Sequence, residues 1–284
     1  MARVPSHAVS VSVVARPVPA HRAPGRSVHG GRPNAPQGGS LPLRISRASG
    51  AFPVDWNQAR RNAQRTLASI DWSQRDIVLW VPGTSQASVN PAFAQAVASA
   101  WSGSDVSVSR VHYAANWNIR PSVATGIATM RLVLAGIAAH TGQHRVMLAG
   151  ESQGAWVIGE AIADPTLRRV IDRAVLLGHP WLAAHQYLDG RDQGVRVLNN
   201  SGDLITIPMS GDPARGLEAM IAVHTLQFGQ LPLVVRSMIE NPRLGMKLIG
   251  TVRYAIPGLR NLWKNPHDYA DRMAEAVGFL RDGR

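Results

Sequence analysis

Short apolar runs alternate with helical segments between Asp55 and Asn200, and this alternation restricts the possible folds more than any other feature of the chain. The apolar runs predict strands at residues 76–82, 106–113, 145–150, 173–178 and 195–200. The segments around them predict helices at residues 55–72, 91–101, 121–141 and 153–163. Strands and helices in this order form βαβ units, so we predict an α/β fold with a mostly parallel sheet and helices on both faces.

The pattern changes after Asp212. Residues 213–264 are apolar and helical in pattern, are interrupted by prolines, and contain no strand signal. This segment is either a helical insertion packed on the sheet or a lid whose basic surface meets an anionic or lipidic substrate. A last helix is predicted at residues 266–280, so that residues 55–284 form one domain.

The first 54 residues are basic and rich in proline, without helical or strand periodicity, and we expect a disordered tail. They contain seven arginines and no acid, which leaves +5 of the net charge of +12 for the rest of the chain. The arginines of the chain are scattered rather than interleaved with aromatic residues, which argues against binding of nucleic acid. The most apolar stretch of the tail, residues 9–15, alternates with serine, so no signal peptide is predicted.

The chain contains no cysteine, which excludes disulfides and thiolate metal sites. Hydrophobic residues make up 45% of the sequence, enough for a large core. The longest apolar stretches, residues 130–139 and 231–239, are shorter than a membrane span and contain arginine, so we expect a soluble protein. Its location is open between the cytoplasm, with release to the cell envelope, and export by a route without a recognisable signal.

The motif G-x-S-x-G occupies residues 150–154, where a predicted buried strand ends and a predicted helix begins. This is the setting of a nucleophile elbow, a sharp turn that exposes a serine above a parallel sheet. Gly150 and Gly154 carry no side chains that would collide in such a turn, and Ser152 would stand at the helix N-terminus. An ordinary glycine-rich turn is the alternative, but the position favours Ser152 as a nucleophile.

A serine hydroxyl needs a general base, and after a nucleophile elbow the acid and then the histidine follow the serine in the chain. Beyond the last predicted strand the sequence offers His224 and His267. His224 lies within an apolar helical pattern, whereas His267 lies in a loop from which an imidazole can reach across the sheet edge. We therefore prefer His267 as the base and keep His224 as the alternative.

The acid that orients the histidine is expected at the carboxyl end of a strand. Asp203 directly follows the strand at residues 195–200. Asp212 competes with it, but Asp-Pro before a helix is typical of an N-cap and first helical position. We predict that Asp203 holds the tautomer of His267 and stabilises the imidazolium.

Acyl transfer also requires donors for the oxyanion. One is the backbone N–H of Gln153, the residue after the proposed nucleophile, and the second usually comes from the loop after an early strand. Gly83 and Thr84 lie in such a loop, where Gly83 permits a close approach of the backbone and Thr84 offers its N–H. A plain turn is the alternative interpretation of this loop.

Five segments together resemble the cutinase-like serine esterases of the α/β-hydrolase fold: GESQGA (150–155), PGTSQ (82–86), HYAAN (112–116), LGHP (177–180) and NSGDLIT (200–206). The resemblance covers roughly residues 76–203 and His267. Gln153 directly after the serine is typical of that family, and Thr84 matches its other oxyanion donor. The resemblance implies a carboxylic-ester hydrolase that works with Ser152, His267 and Asp203 and needs neither a metal nor a cofactor.

The helical segment between Asp203 and His267 and the absence of cysteine are more similar to the mycobacteriophage Lysin B group and to actinobacterial cutinase-like hydrolases. Lysin B enzymes cleave the ester that joins mycolic acids to arabinogalactan. The resemblance therefore implies an ester substrate with a long acyl chain, and contact of residues 213–264 with a lipid or envelope surface. Two residues depart from the family: Glu151, where cutinases commonly have tyrosine, and His179, where aspartate or asparagine is frequent.

Two other functions are compatible with the same residues. The triad could pass the acyl group to a sugar hydroxyl instead of water, which would make the protein an acyltransferase. Alternatively, the chain could be a binding or structural protein that has the hydrolase fold without its activity.

Overall fold

The computed structural model describes most of the predicted hydrolase domain. The described residues are 43–44, 51–102, 105–140, 144–180, 192–200, 203–206, 229, 231–240 and 267–283. Most of the N-terminal tail and most of the predicted insertion therefore lie outside the described residues, as do Asp212 and His224.

The strands of the described residues form two sheets. They are β1 Leu43–Arg44, β2 Ala51–Phe52, β3 Asp76–Val81, β4 Val106–Arg110, β5 Arg145–Glu151, β6 Arg173–Leu177 and β7 Val195–Leu198. The first two pair antiparallel, and the other five form one sheet in the order β4-β3-β5-β6-β7. Every neighbouring pair in that sheet is parallel, so all five strands end at the same edge. The loops after β3, β5 and β6, strands that are neighbours in the sheet, therefore meet there.

Helices connect these strands. They are α1 Trp56–Ala68, α2 Pro91–Trp101, α3 Ile119–Ala138, α4 Gln153–Ile162, α5 Pro165–Arg168, α6 Leu231–Glu240 and α7 Met273–Asp282. Among the described residues, a 3₁₀ turn at Leu204–Thr206 follows β7, and another at Ala270–Arg272 leads directly into α7. This order of strands and helices confirms the predicted α/β-hydrolase type of fold.

The sheet separates two apolar cores, because alternate residues of a strand point to opposite faces. Ile77 and Leu79 of β3 join one core, which is covered by α1, α3 and α4. Val78 and Trp80 join the other, which is covered by α2 and α7. All four side chains are fully buried, as expected for a parallel sheet covered on both faces.

Helix α3 begins two residues before the predicted start. Ile119 is its first residue, so Pro121 occupies the third position and not the first. A proline fits there because the first N–H groups of a helix have no intrahelical acceptor. This helix is long and apolar enough to cross a membrane by composition, but 67% of its apolar window is buried inside the domain.

The last helix begins later than predicted. Residues 267–269 form a loop, a 3₁₀ turn follows, and α7 starts only at Met273. Arg173 at the start of β6 donates to the carbonyls of Phe279 and Leu280, at 3.1 and 3.0 Å. These bonds anchor the end of α7 beside the sheet, so the loop with His267 leads into a helix that is fixed to β6.

Candidate active site

Ser152 occupies a strained turn between β5 and α4. Its φ is 56° and its ψ is −115°, a conformation that a residue with a side chain rarely adopts. The Ser152 N–H donates to the carbonyl of Leu177 on β6 at 2.8 Å, and the Ser152 carbonyl accepts from Trp156 in the first turn of α4. The turn is thus held on both sides, and the half-buried serine lies at the N-terminus of a helix.

The two glycines of the motif are required by close contacts. A Cβ at Gly154 would overlap the carbonyl oxygen of Val81 at the end of β3. A Cβ at Gly150 would lie 2.8 Å from the backbone of Gly154 and 2.8 Å from Cδ1 of Ile158. Helix α4 therefore crosses the strands at a distance that a side chain at either position would prevent, which is the packing of a nucleophile elbow.

Asp203 and His267 form a hydrogen-bonded pair at the same sheet edge. The distance from His267 Nδ1 to Asp203 Oδ2 is 2.8 Å, although the two residues are 64 positions apart. The Asp203 side chain is 2% exposed and that of His267 is 29% exposed. Because Asp203 binds Nδ1, the opposite ring nitrogen, Nε2, can take up a proton from a hydroxyl.

Tyr269 is a member of the site that the sequence analysis did not find. It is fully buried, and its hydroxyl donates to Asp203 Oδ2 at 2.6 Å while accepting from the N–H of Asn200 at 3.1 Å. The N–H of Ile205 donates to the other oxygen of Asp203 at 3.2 Å. Three donors, one of them the imidazole of His267, thus fix the carboxylate; the position of Tyr269 two residues after His267 was the available signal.

The end of β6 brings Ser152 close to the histidine pair. Leu177 accepts the hydrogen bond from the Ser152 N–H, and Gly178 follows it with a φ of +58°. A Cβ at Gly178 would lie 3.1 Å from His267 Cε1 and 3.1 Å from Asp203 Oδ2. The nucleophile elbow and the imidazole therefore lie on either side of one short backbone segment.

The pKa of His267 is raised above its ordinary value. Burial lowers this pKa, but the hydrogen bond and the negative charge of Asp203 raise it, with further contributions from Glu151 and Asp268, and the raising effects prevail. The carboxylates thus stabilise an imidazolium, the form that this side chain must take after it accepts a proton.

Gln153 and Thr84, the predicted oxyanion donors, lie in contact. Gln153 is the first residue of α4, so its backbone N–H has no intrahelical acceptor. Its buried side chain donates to Thr84 Oγ1 at 3.3 Å and to the Asn116 carbonyl at 3.1 Å, and accepts from Ser122 Oγ at 2.7 Å. The amide therefore joins the loops after β3 and β4 to the start of α4.

Backbone strain is concentrated at this edge. Among the described non-glycine residues five have positive φ, and three of these are Ser85, Ala115 and Ser152, with φ of 66°, 40° and 56°. They lie in the loops after β3, β4 and β5, and the Ser85 N–H donates to the Ala115 carbonyl at 2.6 Å. Such conformations persist where the surrounding structure enforces them, and they cluster at functional sites.

The five residues predicted from the sequence thus fall into one region of the structure. Asp203 is bonded to His267, Thr84 is bonded to Gln153, and Ser152 precedes Gln153. The Gly83 position, next to Thr84, lies against the serine, since a Cβ there would lie 3.5 Å from Ser152 Cβ, whereas the Gly178 position lies against Asp203 and His267. A serine, a histidine with a carboxylate and two backbone donors can together carry out acyl transfer.

No family model and no curated protein matches this sequence. Among solved structures, the chain is similar to a cutinase of Trichoderma reesei in complex with a phosphonate inhibitor, with 15% identity over 80% of this chain and 90% of that one, at a TM-score of 0.42. A cutinase-like protein from Cryptococcus sp. is 15% identical over 54% of this chain and 94% of its own, at a TM-score of 0.37.

The catalytic core domain of an acetyl xylan esterase from Trichoderma reesei is also similar. It is 12% identical over 57% of this chain and 96% of its own, at a TM-score of 0.39. These identities are too low to transfer an activity to this chain, so its function has to be argued from its own site.

Proposed function

We propose that this protein is a serine carboxylic-ester hydrolase. The observation that carries the proposal is the strained backbone of Ser152, next to a β6 terminus that also contacts the bonded pair of Asp203 and His267. The strained turn presents the serine hydroxyl at a helix N-terminus. A general base next to that hydroxyl can remove its proton and so make it a nucleophile.

The proposed reaction begins when Ser152 Oγ attacks the acyl carbon and His267 Nε2 accepts the hydroxyl proton. Asp203 stabilises the imidazolium and does not itself take the proton. The imidazolium then protonates the leaving alcohol, so that the C–O bond to the alcohol breaks and an acyl-serine remains. Water then attacks this ester while His267 accepts its proton, the bond between the acyl carbon and Ser152 Oγ breaks, and the imidazolium returns the proton to Oγ as the acid leaves.

Gln153 and Thr84 are the proposed oxyanion donors. Negative charge develops on the carbonyl oxygen in both tetrahedral intermediates, and two backbone N–H groups fixed in advance stabilise it without reorganisation. The bond between the Gln153 amide and Thr84 Oγ1 supports this role, because it holds the two segments that would carry the donors.

We infer further that the substrate carries an apolar, long acyl chain. Trp117 is 44% exposed, and it follows Asn116, whose carbonyl is bonded to Gln153. On α6, Val235 and Ile239 are 46% and 74% exposed one helical turn apart, while Val234 is buried in the core. Exposed apolar side chains of this kind support contact with a lipidic ester.

A series of p-nitrophenyl esters from acetate to palmitate tests the proposal. We expect the wild type to hydrolyse them, with kcat/KM rising toward longer chains, and the Ser152→Ala variant to lose at least about 10³-fold in kcat. Release of free acid, with no transfer to added trehalose, would distinguish hydrolysis from acyl transfer. Undiminished turnover by Ser152→Ala contradicts the proposal, and preference for acetate contradicts the inference on chain length.

A further inference from the structure

A buried carboxylate directly precedes the proposed nucleophile. Glu151 is the last residue of β5 and is 8% exposed. Its Oε2 accepts hydrogen bonds from Gln86 Nε2 at 2.8 Å and from Asn90 Nδ2 at 3.4 Å. Both donors lie in the segment between β3 and α2, so this carboxylate joins the end of β5 to the loop that carries Thr84.

Gln86 continues this connection to the proposed oxyanion site. Its Oε1 accepts from the Gly83 N–H at 2.7 Å, and its own N–H donates to the Gly83 carbonyl at 3.1 Å. Gly83 lies against the elbow, since a Cβ there would be 2.9 Å from the Glu151 carbonyl and 3.5 Å from Ser152 Cβ. Thr84 is therefore enclosed in a turn that is closed by Gln86.

The orientation of the Gln86 side chain follows from these partners. Its carbonyl oxygen must face the Gly83 N–H, so its NH₂ group must face Glu151, and an NH₂ group requires an acceptor. A carboxylate supplies that acceptor. A residue without an oxygen at position 151 would leave a half-buried amide donor unpaired and release one side of the turn.

We propose that Glu151 is a positioning residue that acts through Gln86 to hold the Gly83–Thr84 segment where the Thr84 N–H and the Gln153 N–H converge on the oxyanion. This inference rests on the proposed function and adds a residue to it. Glu151 touches neither the ester nor the reacting atoms in this account.

Glu151 also has an electrostatic relation to His267. The pKa of Glu151 lies above its ordinary value, because burial raises it more than the bonds from Gln86 and Asn90 and the charge of His267 lower it; the charge of Asp268 raises it further. The charge of Glu151 in turn raises the pKa of His267. Removal of that charge should therefore lower the pKa of His267.

The groups that change the pKa of Glu151 lie on two segments of the chain. The segment after β3 contributes the neutral side chains Gln86 and Asn90, and the loop at residues 267–269 contributes His267 and Asp268. The negative charge of Glu151 also helps to raise the pKa of Tyr269 in that loop. A change of charge at Glu151 is thus transmitted to the loop that carries the base.

The test compares Glu151→Leu, Gln86→Leu, their double variant and Glu151→Gln on a short p-nitrophenyl ester. Glu151→Leu and Gln86→Leu should each lower kcat about 10-fold to 100-fold with little change in KM, because the oxyanion forms only in the transition state. The double variant should be no worse than either single one, since both break the same connection. If the Glu151→Leu variant does not fold, the Gln86→Leu variant still tests the same connection.

Glu151→Gln separates the two effects of the carboxylate. The glutamine side chain keeps an oxygen that accepts from Gln86, so kcat should stay within about threefold of the wild-type value. The negative charge is lost, so the pKa of His267 should fall and the acid limb of kcat/KM should move to lower pH. Gln95→Leu, at an exposed position on α2, is the matched control and should leave kcat unchanged.

Each result has a defined meaning. If the wild type turns over the ester and both leucine variants keep full kcat, the inference is wrong and the proposed function stands. Equal loss in Glu151→Gln and Glu151→Leu also overturns it, because the retained oxygen would then be irrelevant. A wild type without turnover contradicts the proposed function itself, and the inference with it.

Discussion

At the scale of single residues, the carboxylate of Asp203 is fixed by three donors. It is buried, and it accepts hydrogen bonds from His267, Tyr269 and the backbone of Ile205. A buried carboxylate with this many donors keeps its orientation, so it can hold the imidazole in a single tautomer. Two predictions follow from this arrangement.

The first concerns the pH dependence of the reaction. Because the pKa of His267 is raised, the neutral imidazole that we propose as the base becomes available only at higher pH, and the acid limb of kcat/KM should have its midpoint above 6.5. Asp203→Asn removes the main raising contribution. In that variant kcat should fall about 10³-fold to 10⁴-fold. A midpoint at or below 6.5 in the wild type would contradict the assigned pair.

Protonation of His267 affects the stability of the fold and the proposed activity in opposite directions. A raised pKa of His267 in the folded state means that its protonation stabilises the fold. This contribution is fully present below the unfolded value of about 6.5 and is lost as the pH rises through the folded pKa.

The second residue-scale prediction concerns Tyr269→Phe. The substitution removes the hydroxyl donor to Asp203 and leaves the Asn200 N–H without this acceptor. We expect kcat/KM to fall about tenfold, which corresponds to roughly 1.4 kcal/mol. The matched control is Tyr113→Phe, whose buried hydroxyl donates to the Pro82 carbonyl. The acid limb of the kcat/KM profile should shift in pH in Tyr269→Phe and keep its wild-type position in Tyr113→Phe. An equal shift in both variants would contradict the role of Tyr269.

At the scale of elements, the site depends on three neighbouring strands that end together. The starts of two of them, β3 and β5, are joined by Asp76, a buried residue at the beginning of β3. It accepts from Arg145 Nε at the beginning of β5 at 2.8 Å and from Trp101 Nε1 at the end of α2 at 2.8 Å. One carboxylate thus joins two strands and a helix at the edge opposite the site.

Asp76→Ala should therefore lower the free energy of unfolding by about 3 kcal/mol, because it leaves Arg145 and Trp101 without this partner. Urea unfolding measures this loss. Asp282→Ala, which breaks an exposed pair with Arg281, is the control and should change the free energy by at most about 0.5 kcal/mol. Equal effects of the two substitutions would contradict the structural role of Asp76.

The pH dependence of this contribution has a definite sign. Burial raises the pKa of Asp76, but the bonds from Arg145 and Trp101 and the charge of Arg145 outweigh it and lower the pKa. The contribution to stability is present above the unfolded pKa of about 3.8 and is lost as the pH falls through the lower, folded pKa.

The elements also show what a sequence can predict. The continuous apolar run of β5 and the glycine motif at its end located the turn that carries Ser152 and Gln153, because a strand buried on both faces is apolar along nearly its whole length. Periodicity placed the start of α3 two residues late and the last helix several residues early, since a proline is tolerated anywhere in the first turn. The contacts of Tyr269 and Ser122 join distant segments and leave no local pattern.

At the scale of the whole molecule, every residue of the proposed site lies between Thr84 and Tyr269. The tail predicted to be disordered covers residues 1–54; of it the structure describes the paired strands Leu43–Arg44 and Ala51–Phe52, whereas residues 1–39 lie outside the described residues. We expect a chain that begins at residue 40 to keep kcat/KM within about twofold of the full chain. A loss of tenfold or more would show that the tail contributes to the site.

The central claim is that Ser152 is a nucleophile activated by His267. The most direct measurement is labelling with a fluorophosphonate, followed by mapping of the adduct by mass spectrometry. The account predicts one adduct per chain, located on Ser152, absent in Ser152→Ala and strongly slowed in His267→Ala. Failure of the wild type to react, or an adduct at any other residue, would contradict it.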